Sequence, residues 1–386
     1  MLEDWRLGGF GLYIHWPFCE SKCPYCDFNS HVSRSINQEA WRNAFLTALE
    51  HYARETPDRV LNSVYFGGGT PSLMDANVVG SVLEALPGHW ALANDLEITL
   101  EANPSSVEAA RFDEYRSIGV NRISLGIQAL NDPDLKRLGR LHTASAALNA
   151  LEIARSSFER VNFDLIYARQ DQSLEAWREE LQRALSFAPT HLSLYQLTIE
   201  QGTAFGDLFD RGKLPGLPEE DLAADMYDAT QELCEAAGLP AYEVSNHARL
   251  GQESRHNLTY WRGGDYVGIG PGAHGRVTVG GHRYATVGTP SPNDWLKEVA
   301  SGASGEMQRD RLSPEDHLGE YLMMGLRTNE GVDLARIENI SRKPIKHNKI
   351  KDLIDIGMLE MSSGTLRVTR RGRAVLNSVT TALLPD

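Results

Sequence analysis

Tyr13-Ile14-His15-Trp16-Pro17-Phe18-Cys19-Glu20-Ser21-Lys22-Cys23-Pro24-Tyr25-Cys26-Asp27-Phe28 is the stretch on which the reading of the fold turns. A strand-like apolar run ends at a proline, and three cysteines follow on one short loop in a Cys-x-x-x-Cys-x-x-Cys spacing. The chain has only 4 cysteines, so this is no disulfide framework; close spacing of this kind reads as a metal or cluster site. Structural zinc calls for a fourth Cys or His in a paired spacing. His15 and His31 flank the loop, so zinc stays open on spacing alone. A cubane iron–sulfur cluster is held by Cys thiolates, and three ligands leave one iron free for a small molecule. Cys234 stands alone in a helical pattern and reads as a small buried apolar residue.

Outward from the loop, strands are expected at 11–16, 63–66, 97–102, 122–127, 161–166 and 191–197. Their recurrence, roughly every thirty residues, is that of βα units. Helix starts stand between them. Ser35 precedes Gln38 and the stripe Trp41, Phe45, Leu49, Tyr52; Ser105 precedes Glu108; Asn131 precedes Pro133; Thr143 and Ser173 open two more. Consecutive βα units predict a parallel sheet. The loop Gly67-Gly68-Gly69-Thr70-Pro71 follows the second strand, Glu101 ends the third, Gln128 follows the fourth, Asp164 lies in the fifth and Gln196 is in the sixth. Polar groups gathered at successive C-terminal strand ends are what a barrel mouth needs. The expected fold is α/β, an incomplete (β/α)6 barrel over residues 1–205.

The rhythm then changes. A Gly/Pro-rich stretch at 212–218 and a helix at 219–237 lead into a glycine-heavy region at 242–281, within a connecting part at 206–305. From Ser313-Pro314-Glu315 the order is helix, helix, hairpin (358–361 and 365–369 around Ser362-Ser363-Gly364), helix. That order predicts a winged-helix-like α+β module over 306–386.

Composition excludes several classes. The chain has 386 residues, more than the roughly 250–300 that one core supports, and 41% apolar with 23% charged residues argues against wholesale disorder. No apolar run nears the ~18 residues of a membrane span. The start, Met1-Leu2-Glu3-Asp4, lacks the apolar segment of a secretory signal, so a cytoplasmic, reducing location is expected. A formal charge of −14 gives no general attraction for nucleic acid or anionic membrane.

The stretch from Tyr13 to Phe28 resembles the radical S-adenosylmethionine superfamily. Over essentially its whole length the chain is similar to proteins related to oxygen-independent coproporphyrinogen III dehydrogenase, and most of all to haem chaperones of the HemW type. The dehydrogenase has a further Cys two residues after the third ligand, where this chain has Phe28. The chaperones carry an H-N-x-x-Y-W motif, here His256-Asn257-Leu258-Thr259-Tyr260-Trp261. The dehydrogenase also has a longer segment before the cluster, whereas 18 residues precede Cys19 here.

The resemblance implies a [4Fe-4S] cluster on Cys19, Cys23 and Cys26, S-adenosyl-L-methionine beside it, and haem as cargo. It assigns cofactor contacts to Tyr13, Tyr25, Gly68, Gly69, Thr70, Glu101, Gln128, Arg140 and Asp164. Bare backbone amides suit a carboxylate, and Arg140 matches it in charge. For haem it points to His256, Tyr260 and Trp261, with His247 and His274 weaker candidates. The implied role is delivery of haem to haem-dependent proteins, membrane respiratory complexes among them, with peripheral docking at the membrane and room for a homodimer. Oxidative decarboxylation of coproporphyrinogen III is the enzymic alternative, against which Phe28 counts; tRNA modification is a third. Residues 341–373 hold nine Lys/Arg against three Asp/Glu. No nucleic-acid partner is expected from that patch, because shape alone does not imply one; lipid headgroups or haem propionates are its alternative partners.

Overall fold

The computed structural model describes residues 3–33, 35–341 and 347–384, with only the backbone described at 347. Six strands run parallel in chain order: β1 (Phe10–Trp16), β2 (Val60–Gly68), β3 (Ala91–Ala102), β4 (Arg122–Gln128), β5 (Arg160–Tyr167) and β6 (His191–Gln196). Helices return the chain between them, including α1 (Gln38–Glu55), α2 (Ala76–Ala85), α3 (Phe112–Ser117), α4 (Ala144–Ser157) and α5 (Leu174–Ser186). Ser105, Asn131, Thr143 and Ser173 each accept a backbone N–H as N-caps. The cap of α1 is Asn37 rather than Ser35: its side chain accepts from the Ala40 N–H at 3.1 Å.

The strands alternate in the period-2 manner. Leu12, Ile14, Val64, Phe66, Leu100, Ile123, Leu125, Phe163, Leu165, Leu192 and Leu194 are all but fully buried in the outward-facing core. Against this layer α1 sets Trp41, Phe45, Leu49 and Tyr52, and Trp41 meets Trp16 edge-on at 5.6 Å. The opposite, inner face is polar, with Ser63, Tyr65, Thr99, Glu101, Arg122, Asn162, Asp164, His191 and Ser193.

The glycine-heavy region completes the sheet. After helix α6 (Glu220–Ala236), β7 (Asn246–Ala248) pairs antiparallel with β6. Helix α7 (Arg255–Trp261) lies against β1 and β2, and β8 (Asp265–Ile269) pairs parallel with β1 on its free side. An antiparallel ribbon of β9 (His274–Val279), β10 (His282–Gly288) and β11 (Glu306–Arg311) follows, with α8 (Pro292–Ala300) between its last two strands. Among the described residues the sheet therefore has 11 strands, with edges at β11 and β7, and does not close. Trp295 of α8 stacks on Trp41 at 5.6 Å and 5°, which ties the ribbon to the outer layer. Glycine is needed at 268 because a Cβ there would collide with the His274 carbonyl across the turn between β8 and β9.

The C-terminal part has its own core of Leu318, Tyr321, Leu322, Leu326, Val332, Ile337, Leu359, Leu366, Val368 and neighbours. It comprises α9 (Pro314–Gly325), β12 (Val332–Asp333), α10 (Leu334–Ser341), α11 (His347–Asp355), the hairpin β13 (Leu359–Ser362) and β14 (Thr365–Val368), and α12 (Leu376–Leu383). Its sheet order, β12-β14-β13, is that of a small winged module. Ser313 forms a capping box with Asp316. Part of the basic segment, 342–346, lies outside the described residues.

Candidate functional site

The cysteine loop leaves the end of β1 and is pinned on three sides. Phe18 and Cys19 pair with His31 and Val32. The Gly69 and Thr70 N–H groups donate to the carbonyls of Trp16 (2.7 Å) and Phe18 (2.8 Å), tying it to the glycine loop after β2. Asn29 donates to the carbonyls of Pro271 (2.8 Å) and Pro290 (2.9 Å), tying it to the ribbon. Burial holds His15 neutral, its pKa lowered to about 4. Its Nε2–H donates to the Asn29 carbonyl at 2.9 Å, and its Nδ1 accepts from the Tyr13 hydroxyl at 2.9 Å. His31 Nε2 is taken by Asn29 Oδ1 at 3.1 Å. Neither flanking histidine is free to be the fourth ligand a zinc site wants. Among the described residues, no three His, Cys, Asp or Glu side chains gather as ligands of a single ion.

Cys19 is buried and Cys23 and Cys26 are half-buried, all as free thiols. Burial pushes the Cys19 and Cys26 thiols upward, while Arg140 Nη1 sits 3.4 Å from Cys23 Sγ. A donor set of three thiols on one loop fits a cluster that binds a different iron through each sulfur. The glycine loop fits it too. At Gly69 a Cβ would lie 2.6 Å from the Phe18 carbonyl oxygen and 3.0 Å from Cys19 Sγ. Gly68 has φ +111, where other residues are strained, and its Cβ would meet the His15 ring at 2.6 Å.

The remaining expected contacts face the same strand ends. Tyr65 Oη donates to Glu101 Oε1 at 2.7 Å and the Gly68 N–H approaches Oε2 at 3.3 Å. Burial, with Asp164 adding to it, raises Glu101 to about 7; burial raises Asp164 to about 6. Gln128 closes β4 with φ 72, and its Oε1 is buried without a partner. An orphaned buried acceptor on a strained backbone fits a residue that contacts a ligand. Arg140 Nη2 donates to Asn103 Oδ1 (2.7 Å) and the Gly126 carbonyl (2.9 Å). Tyr25 packs against Ala129, Leu135, Leu138 and Ile166, seating the cysteine loop on β4 and β5. Phe28 is 56% exposed at the position where a fourth cysteine would stand.

Asn103 was missed by sequence reasoning. Its Nδ2 donates to Thr70 Oγ1 at 3.2 Å while its Oδ1 holds Arg140, so it joins two of the expected contacts. The available signal was an Asn one residue past the end of a strand carrying Glu101.

The H-N-x-x-Y-W motif forms α7, capped by Ser254. His256 is buried on the inner face, Nδ1 against Ser63 Oγ at 3.1 Å, with its ring stacked on Tyr65 at 5.0 Å. Burial lowers its pKa to about 3, so the imidazole is neutral. Tyr260 continues the ring contacts to Tyr266, 6.3 Å away. Trp261 packs edge-on against Tyr260 at 4.6 Å, and the Arg327 guanidinium covers its ring at 4.9 Å. The three expected haem residues thus form a chain of ring contacts along one helix, with His256 meeting Tyr260 at 6.1 Å. His247 is buried with Nε2 near Gln231 at 3.3 Å, and His274 opens β9 at the surface.

Residues 13–184 match the Radical SAM superfamily and residues 312–375 the HemN C-terminal domain. The chain is 37% identical over 388 residues to the Escherichia coli protein named heme chaperone HemW, covering 99% of this chain and 100% of that one. The chain belongs to the HemW family of radical SAM proteins. A mouse (Mus musculus) relative, radical S-adenosyl methionine domain-containing protein 1, mitochondrial, is 42% identical over 386 residues, covering 97% of this chain and 87% of its own. The solved structure of coproporphyrinogen III oxidase from Escherichia coli, titled a radical SAM enzyme, shares the fold with a TM-score of 0.81. It is 21% identical, with 97% of this chain and 90% of that chain covered. Membership in the HemW family implies a [4Fe-4S] cluster and S-adenosyl-L-methionine, and the donor set and glycine loop fit both.

Proposed function

We propose that this protein is a haem chaperone, with a [4Fe-4S] cluster on Cys19, Cys23 and Cys26 and S-adenosyl-L-methionine against the Gly68–Thr70 backbone. The observation that carries the reading is its end-to-end likeness to a protein named heme chaperone HemW; an exposed Phe28 in place of a further cysteine supports it. When bound, a cubane with three protein thiolates supplies one open iron and an electron. The chain's own part is to hold the loop still through His15, Asn29 and Arg140, and to present Glu101, Gln128 and Asp164 to the cofactor. The acceptors in this reading are haem-dependent proteins, respiratory complexes included, reached from the cytoplasm by peripheral docking. Among the described residues, no helix is long and apolar enough to cross a membrane.

Anaerobic reconstitution followed by parallel titration with haem and coproporphyrinogen III tests the proposal. Tight haem binding without a decarboxylated product is expected; turnover of coproporphyrinogen contradicts it.

Glu101 sets a pH dependence in this account. Below about 7 its carboxyl is protonated in the fold, so its capacity to accept from ribose hydroxyls falls, and S-adenosyl-L-methionine binding strengthens as pH rises through that value. The unloaded fold has the opposite trend: an acid whose folded value lies above its unfolded one loses stability as pH rises between them. Glu101→Ala weakens cofactor binding by about 1–3 kcal/mol and flattens the pH profile, with cluster content intact. Calorimetry at a series of pH values checks both; a mutant with the native profile removes Glu101 from the site.

His256 is the proposed axial ligand of haem. Imidazole is a common one, and its Nδ1 is already oriented by Ser63. His256→Ala shifts the Soret band of bound haem, whereas His247→Ala and His274→Ala leave it. A native spectrum in His256→Ala reduces His256 to a packing residue of the inner face.

A further inference from the structure

Arg122 opens β4. Ile123, Leu125 and Ile127 turn outward into the core, so Arg122 and Ser124 turn inward. The register sets Arg122 beside Thr99 of β3, Ser124 beside Asn162 of β5, and Asn162 beside His191 of β6. Arg122 is only 2% exposed, yet among the described residues its guanidinium has no hydrogen-bonded or ion-paired partner. The acids on which its charge acts are bound elsewhere: Glu101 to Tyr65 and Gly68, Asp164 to Asn162. On the same inner face, Thr99 Oγ1, Asn162 Oδ1 and His191 Nδ1 are buried and also unmatched.

A guanidinium largely shielded from water and hydrogen-bonded to no anion is costly, and unmatched polar atoms around it mark a place built for a ligand. We infer that Arg122 anchors a carboxylate brought in by the cargo, one propionate of haem; this inference rests on the haem reading above. Guanidinium and carboxylate match as a two-pronged fork. The methionine carboxylate of the cofactor belongs to the other end of the strand. Gln128 closes β4 and Arg122 opens it, and at about 3.3 Å per residue the two stand roughly 20 Å apart. The charge of Arg122 also acts on His256, which faces the same interior from α7.

The test is an anaerobic Soret titration of the full chain with haem and with haem dimethyl ester, whose propionates are neutral. The native protein is expected to prefer haem by about tenfold or more, the usual scale of a charge-assisted hydrogen bond. Arg122→Gln loses that preference, Arg122→Lys keeps most of it, and both retain cluster content. Equal binding of haem and ester by the native protein overturns the inference, as does an Arg122→Gln variant that still discriminates. Should Arg122→Gln fail to fold, the native comparison and Arg122→Lys decide. A native protein that binds neither porphyrin removes the haem reading itself, a result distinct from equal binding.

Discussion

Cys23→Ser is expected to leave the anaerobically reconstituted protein without a cubane cluster, while Cys234→Ser retains full iron and sulfide. The three loop thiols sit where β1 ends, and the backbone that carries them is fixed by the glycine loop, by Asn29 and by the short pairing of Phe18–Cys19 with His31–Val32. A serine hydroxyl cannot replace a thiolate as an iron ligand at this site. Moreover, no neighbouring histidine can step in, since His15 and His31 are engaged by Tyr13 and Asn29. Cys234 is fully buried in α6, and burial pushes its thiol up to about 12, so it stays protonated and apolar in behaviour. Iron and sulfide analysis with the visible absorption of the cluster reads the outcome. Full occupancy in Cys23→Ser, or loss in Cys234→Ser, contradicts the assignment.

Asp265→Ala is expected to cost about 3–5 kcal/mol, the price of stripping a buried ion group of one partner. Asp265 has no exposed surface and accepts from Arg59 Nη1 at 2.7 Å and Arg283 Nη1 at 2.8 Å, as well as from Thr278 Oγ1 at 3.0 Å. Arg59 in turn lies over the Trp5 ring at 4.1 Å. Without the carboxylate, two guanidinium groups remain buried at the junction of β8 with β1, the strand that delivers the cysteine loop. The melting temperature should fall markedly and cluster retention should suffer with it. An unchanged melting temperature would show that the junction does not depend on this charge.

Much of this was legible in the sequence. The six parallel strands announce themselves because their outward residues, such as Leu12, Ile14, Ile123 and Leu125, are apolar and their ends carry glycine or polar groups. The winged module was legible from Ser313-Pro314 and from the turn at Ser363 and Gly364, both with positive φ. The ribbon β8–β11 was not. Its strands are short and lie in a glycine-rich stretch of chain, and what makes β8 a strand is its pairing with β1, more than two hundred residues earlier in the chain, which no local pattern encodes. The Ser35 cap failed for a related reason: Asn37 is an equally good cap and lies closer to the apolar stripe. At the candidate site, Cys19, Cys23 and Cys26 were singled out by spacing, and Glu101, Gln128 and Asp164 by the family resemblance, their places at or near strand ends being compatible with it. Arg122, Asn162 and His191 look like ordinary alternating polar residues until the sheet curls and turns them toward one another. The H-N-x-x-Y-W motif was recognisable as a unit, yet only the fold shows that His256 packs on Tyr65 while Trp261 lies under Arg327.

The most direct measurement of the central claim is haem transfer. The cluster-bearing protein, loaded anaerobically with haem, is mixed with the apo form of a haem-dependent enzyme, and the two are separated by size. The account predicts that the Soret band moves to the acceptor and restores its activity, with S-adenosyl-L-methionine recovered uncleaved. Haem that stays with the chain, alongside conversion of coproporphyrinogen III to a decarboxylated product by the same preparation, would contradict it.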